Sequence, residues 1–62
     1  MRIDEKKLRC ICINKGITIT ELAKKSGVAV STITRGTRRD VLDTTVIKII
    51  KALDIKAEDI II

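Results

Sequence analysis

Gly16, Gly27 and Gly36 are the only strong punctuation in a 62-residue chain that has no proline, and they divide it into short pieces that read as helices rather than long elements. A chain of this length makes one domain, residues 1–62, because about 60% of its unfolded surface is all that such a size can bury and nothing remains for a second core. Phe, Tyr and Trp are absent while 45% of the residues are hydrophobic, so the core must be built from aliphatic side chains.

In the first piece Asp4 is placed to cap a helix running through Lys15, with Leu8, Ile11 and Cys12 as an apolar stripe and Gly16 just past its end. Thr18-Ile19-Thr20-Glu21 has the spacing of a capping box, which starts a second helix at Ile19 that reaches about Ser26 and turns Leu22 and Ala23 inward. Gly27 ends it. Val28 and Ile33 are further core positions, and a third helix is expected over Ala29 to Arg35. Its run of Val, Ser, Thr, Ile and Thr is weakly helical, so packing has to hold it. A β-strand over residues 28–34 is the competing local reading, against which stands the lack of any partner strand.

Residues 36–42 read as a loop, after which Asp40 or Asp43 is expected to cap a helix to Leu53. Val46, Ile49, Ile50 and Leu53 follow its inner face at i, i+3, i+4 and i+7. Residues 54–56 turn the chain, and Ala57 to Ile61 are expected to make a last helical turn with Glu58 and Asp59 near its positive end. The expected fold class is all-α.

The composition excludes several functions. With no His and two Cys there is no zinc tetrad, no Ser-His-Asp or Cys-His pair and no imidazole base, so no enzyme and no cofactor is expected. Cys10 and Cys12 stand two apart on a helix and point to different faces, which predicts reduced structural thiols rather than a disulfide. Without aromatic rings there are no platforms for stacking single-stranded bases, whereas duplex nucleic acid remains open. The apolar runs are only a few residues long and no signal stretch succeeds the N-terminus, which gives the expectation of a cytoplasmic chain without membrane contact. No small-molecule ligand is suggested.

The charge is uneven. Residues 1–23 carry five basic and three acidic groups, residues 24–39 five basic and none acidic, and residues 40–62 three basic and five acidic. The middle segment therefore carries +5, equal to the net charge of the whole chain, on the stretch around the second and third helices. A basic face that only keeps the protein soluble is the plainer reading of that charge.

A helix closed by a Gly-containing turn and followed within a few residues by a second helix is the local form of a helix-turn-helix. The segment GITITELAKKSGVAVSTITR, residues 16–35, together with VIKIIKALDIKAEDII downstream, resembles the Cro and phage-repressor class of helix-turn-helix domains, the XRE family. The anchors are Gly16, Ile17, Thr18, Leu22, Ala23, Gly27, Val28 and Ile33, supported by Lys51-Ala52-Leu53-Asp54 and Asp59-Ile60-Ile61. The resemblance covers residues 4–62. It implies a compact five-helix, lambda-repressor-like domain that binds operator DNA, usually as a dimer, and regulates transcription, most often as a repressor.

Carried over residue by residue, the resemblance places base reading on Val30, Ser31, Thr34 and Arg35. Arg35 has a planar fork suited to guanine O6 and N7, with a salt bridge or a phosphate as its plainer uses. Phosphate contacts fall to Thr20, Lys24, Lys25, Thr37, Arg38 and Arg39. Two departures stand out. The family often has Gln where this chain has Ile19 and Val30, and the chain is one residue short near Arg35 and Gly36. Ile47, Ile55, Ile61 and Ile62 are left over once the fourth helix has filled the core, which points to a homodimer interface; alternatively, Ile55 and Ile61 close the core. A protein-interaction module of antitoxin or anti-repressor type, using this Ile-rich face, is the second functional reading.

Overall fold

The computed structural model describes residues 1–62, and its first two helices begin and end where local chemistry demands. Helix α1 spans Glu5–Lys15, and Asp4 caps it by accepting the amide of Lys7 at 3.1 Å. Helix α2, Ile19–Ser26, opens on the complete capping box: Thr18 Oγ1 accepts the Glu21 amide at 3.1 Å, and Glu21 Oε1 accepts the Thr18 amide at 3.3 Å. Gly16 and Gly27 close these two helices at φ +69° and +72°, the left-handed region where a side chain would be strained.

Helix α3 is Val30–Gly36 and helix α4 is Asp43–Leu53. The third helix is present, and the strand reading of residues 28–34 falls with it. Its bounds shift by one residue at each end: Ala29 is the cap, and Gly36 belongs to the last helical turn instead of opening a loop. Neither Asp40 nor Asp43 caps α4. Leu42 occupies that position, its carbonyl accepting the amides of Thr45 and Val46, while Asp43 is the first helical residue, where its charge still favours the positive helix end. Asp54 closes α4 at φ +55°, a conformation that Asp tolerates better than most residues.

The expected fifth helix is a correction. Ala57–Asp59 form a single 3-10 turn, giving four α-helices and one short turn. The reason lies at the C-terminus: the Ile61 amide still reaches back to Ala57 O at 3.1 Å, but Ile61 itself pairs with Ile3 in an antiparallel bridge, so the helix cannot continue. Asp59 Oδ2 accepts the Lys56 amide at 3.0 Å and stabilises the tighter geometry.

Helix α2 packs against α3 and α4, and the core gathers at that junction. Leu8 and Cys12 reach it from α1, Leu22 from α2, Val28 and Ile33 from the turn and α3, and Val46, Ile49 and Leu53 from α4. Ile11, Ile17, Ala23 and Ile50, expected inside, lie at its margin and are partly buried. Ile3 and Ile60, both fully buried, complete it from the two ends of the chain.

Residues 1–4 are threaded between the end of α3 and the C-terminal tail. The Ile3 amide donates to Gly36 O at 2.8 Å, the Asp4 amide to Ile60 O at 2.6 Å, and the Ile62 amide to Arg2 O at 2.9 Å. Gly36 is buried beneath this segment, with a side chain excluded by Val41 and Ile3. Both cysteines are free thiols, but only Cys12 is a packing residue; Cys10 is exposed. Burial pushes the Cys12 thiol up from its ordinary pKa. No helix is long and apolar enough to cross a membrane.

Candidate nucleic-acid interface

The turn between α2 and α3 is tied down by Ser26. Its hydroxyl donates to Ala23 O at 3.4 Å and accepts the Val28 amide at 3.3 Å, which sets the direction in which the chain leaves Gly27. Val28 and Ile33 then anchor α3 by its inner side. With Ile33 pointing in, helical geometry turns Ser31, Thr34 and Arg35 away from the core; Val30, in the first turn of α3, lies nearer the side of Ile33, and all four are exposed.

Ser31, Thr34, Arg35, Arg38 and Arg39 line one open depression of about 460 Å³, which contains neither an apolar nor an acidic residue. Three of the four residues expected to read bases are thus brought together with two of the residues expected to hold phosphates. Val30, 40% exposed, lies outside the depression. Thr20, Lys24 and Lys25 are exposed on α2. None of Lys24, Lys25, Arg35, Arg38 or Arg39 has a carboxylate within 4.0 Å; the one ion pair in the molecule joins the Met1 amino group to Asp40 at 3.8 Å. Their charge is therefore available to a partner rather than consumed within the fold.

Thr37 stands apart from the other expected phosphate contacts. It is half-buried, and its hydroxyl donates to Thr34 O at 2.7 Å, so its proton is committed to the end of α3. Its carbonyl accepts Arg2 Nε at 3.2 Å. Two cations that the sequence pattern did not single out approach this edge of α3. Arg9 lines a notch of about 190 Å³ with Glu5, Ile19, Thr34 and Thr37, and Arg2 reaches Thr37 itself. Nothing in the local spacing marks either residue, because only the threading of the N-terminal segment under α3 brings position 2 to position 37.

The four isoleucines set aside for a dimer interface divide into two pairs. Ile55 and Ile61 are half-buried and pack against the core, whereas Ile47 is 44% and Ile62 73% exposed. Leu42 is exposed as well.

Comparison with known proteins agrees with this geometry. The family description Cro/C1-type HTH DNA-binding domain matches residues 7–62. A solved structure that resembles the chain is the restriction-modification controller protein C.AhdI from Aeromonas hydrophila, 30% identical, with a TM-score of 0.74 over 87% of this chain and 85% of that one. No curated protein sequence matches. With an exposed α3 set on a capped α2 and the family pattern running over nearly its whole length, the chain belongs to the Cro/C1-type helix-turn-helix DNA-binding family.

Proposed function

We propose that this protein is a sequence-specific regulator of transcription that binds duplex DNA, acts as a repressor, and reads the major groove with α3. The observation that carries the reading is the acid-free depression in which Ser31, Thr34 and Arg35 adjoin Arg38 and Arg39, all three arginines without an ion pair. Base-edge donors and phosphate-binding cations on one surface are what groove recognition needs, since phosphate contacts position the protein and base contacts specify the site. The likeness to a controller protein supports a regulatory role.

In this reading Arg35 forks onto a guanine, Ser31 and Thr34 meet base edges or adjoining phosphates, and Val30 offers an apolar contact to a thymine methyl. Thr20, Lys24, Lys25, Arg38 and Arg39 hold the backbone, and Thr37 orders the end of α3 that presents the two arginines. The protein acts as a homodimer, with Ile47 and Ile62 at the interface and Ile55 and Ile61 behind them. Two α3 helices then meet successive major-groove faces about 34 Å apart.

Selection of bound sequences from random duplex DNA tests the proposal. The expected result is a motif of two related half-sites, with affinity that falls steeply as salt rises. Lys24, Lys25, Arg38 and Arg39 from each of two protomers give a slope of log K on log salt of roughly −7 at full engagement. Enrichment of no motif, or binding indifferent to salt, overturns it and turns attention to a protein partner on the isoleucine face.

A further inference from the structure

We infer that Arg2, outside the helix-turn-helix, is a DNA-phosphate contact held ready at the end of α3. The inference rests on the proposed duplex binding and adds to it a cation from a part of the chain that the proposal does not use. Three backbone bonds fix the segment that carries Arg2: the Val41 amide donates to Met1 O at 2.6 Å, the Ile62 amide to Arg2 O at 2.9 Å, and the Ile3 amide to Gly36 O at 2.8 Å. The side chain is then fixed in turn, because its Nε donates to the carbonyl of Thr37 at 3.2 Å. Thr37 is the C-cap of α3 and directly precedes Arg38 and Arg39.

This tie engages one of the five N–H groups of the guanidinium. The four on the terminal nitrogens form the fork that matches a phosphate, and Arg2 is exposed with no carboxylate within 4.0 Å. Supporting a helix end would need a single donor and could be done by many side chains. An arginine whose Nε is anchored while its terminal nitrogens have no partner in the fold is instead oriented before a ligand arrives, which lowers the entropy lost on binding. The ligand class is the phosphodiester backbone flanking the groove that α3 enters, so Arg2 adds affinity without adding sequence preference.

Three variants of the full chain separate the roles. In Arg2→Gln the amide nitrogen replaces Nε at the same distance along the side chain, so the tie to Thr37 can persist while the charge is lost. Arg2→Lys keeps the charge without the tie, and Arg2→Ala loses both. For Arg2→Gln the expected result is an unchanged melting temperature and weaker binding, by the same factor on the selected site and on unrelated duplex. Its salt slope should be shallower by about 0.9 per protomer. Arg2→Lys should keep the wild-type slope. A wild-type slope in both Arg2→Gln and Arg2→Ala, with or without a lower melting temperature, overturns the inference and leaves Arg2 a structural residue. Failure of the proposed duplex binding would look different, because the wild-type protein itself would then show no salt dependence.

Discussion

The carbonyl of Gly36 accepts the amide of Ile3 at 2.8 Å, and the two residues lie so close that a Cβ on Gly36 would stand 2.9 Å from Ile3 Cδ1 and 2.7 Å from Val41 Cγ1. The glycine is required here by space rather than by a positive φ. Gly36→Ala is expected to cost about 1–3 kcal/mol by overpacking, with a fall in melting temperature of roughly 4–8 °C per kcal/mol. Thermal unfolding followed by circular dichroism checks this, and an unchanged melting temperature would show that the N-terminal segment can move aside freely.

Arg35 and Lys25 should fail in different ways. Arg35→Ala is expected to relax discrimination at one base position by about 1–3 kcal/mol, read as a flattened column in the selected motif. Lys25→Ala should weaken all duplexes alike and make the salt slope shallower by about 0.9 per protomer. Equal, sequence-independent losses in both variants would return Arg35 to the phosphate contacts.

The two thiols differ in environment and should differ in reactivity. Cys10 is exposed and is expected to react with a disulfide reagent at once, whereas Cys12 should react only as the protein unfolds. Burial raises the Cys12 pKa, so the folded state favours the protonated thiol. Its contribution is whole below the pKa of an unfolded cysteine, about 8.5, and is lost as pH rises through and above that value. Urea titrations between pH 7 and 10 should show that decline, and a flat profile would contradict it.

Ile47→Glu tests the dimer. The side chain is exposed, so the fold of one protomer should be little affected, whereas a charge buried in an apolar contact between protomers has no partner there. Sedimentation at micromolar concentration should show the wild type as a dimer and the variant as a monomer with weaker binding to paired half-sites. A wild-type protein that sediments as a monomer, free and on DNA, would remove Ile47 and Ile62 from any interface.

Most of the helical framework was readable because each signal is local. Asp4, Thr18 and Glu21 cap within three residues of their targets, Gly16 and Gly27 end helices at their own φ, and the i, i+3, i+4, i+7 rhythm of α4 needs no knowledge of its neighbours. Two misreadings arose where a distant segment decides, whereas a third is local, the cap of α4 falling to Leu42 between Asp40 and Asp43. Gly36 looks like a loop residue until Ile3 is laid across it, and residues 57–61 look helical until the bridge from Ile61 to Ile3 takes their last residues. At the interface, the family resemblance pointed to Ser31, Thr34 and Arg35, and the three share one surface because a single helix carries them. Arg2 and Arg9 were invisible to that reasoning, since their approach to Thr37 comes from tertiary packing alone.

The bond from Asp4 to Ile60 sets helix formation apart from folding. Helices α1 and α2 carry their own caps, but burying Ile3 and Ile60 requires a loop the length of nearly the whole chain to close, at an entropic cost that local contacts alone do not offset. The amides of Ile3 and Asp4 should therefore exchange their hydrogens only through global opening, as deep in protection as Leu22 or Ile49, although they precede the first helix. A fragment missing either end would keep flickering helices without a settled α3, so cooperativity in this small protein is enforced by its two ends holding each other.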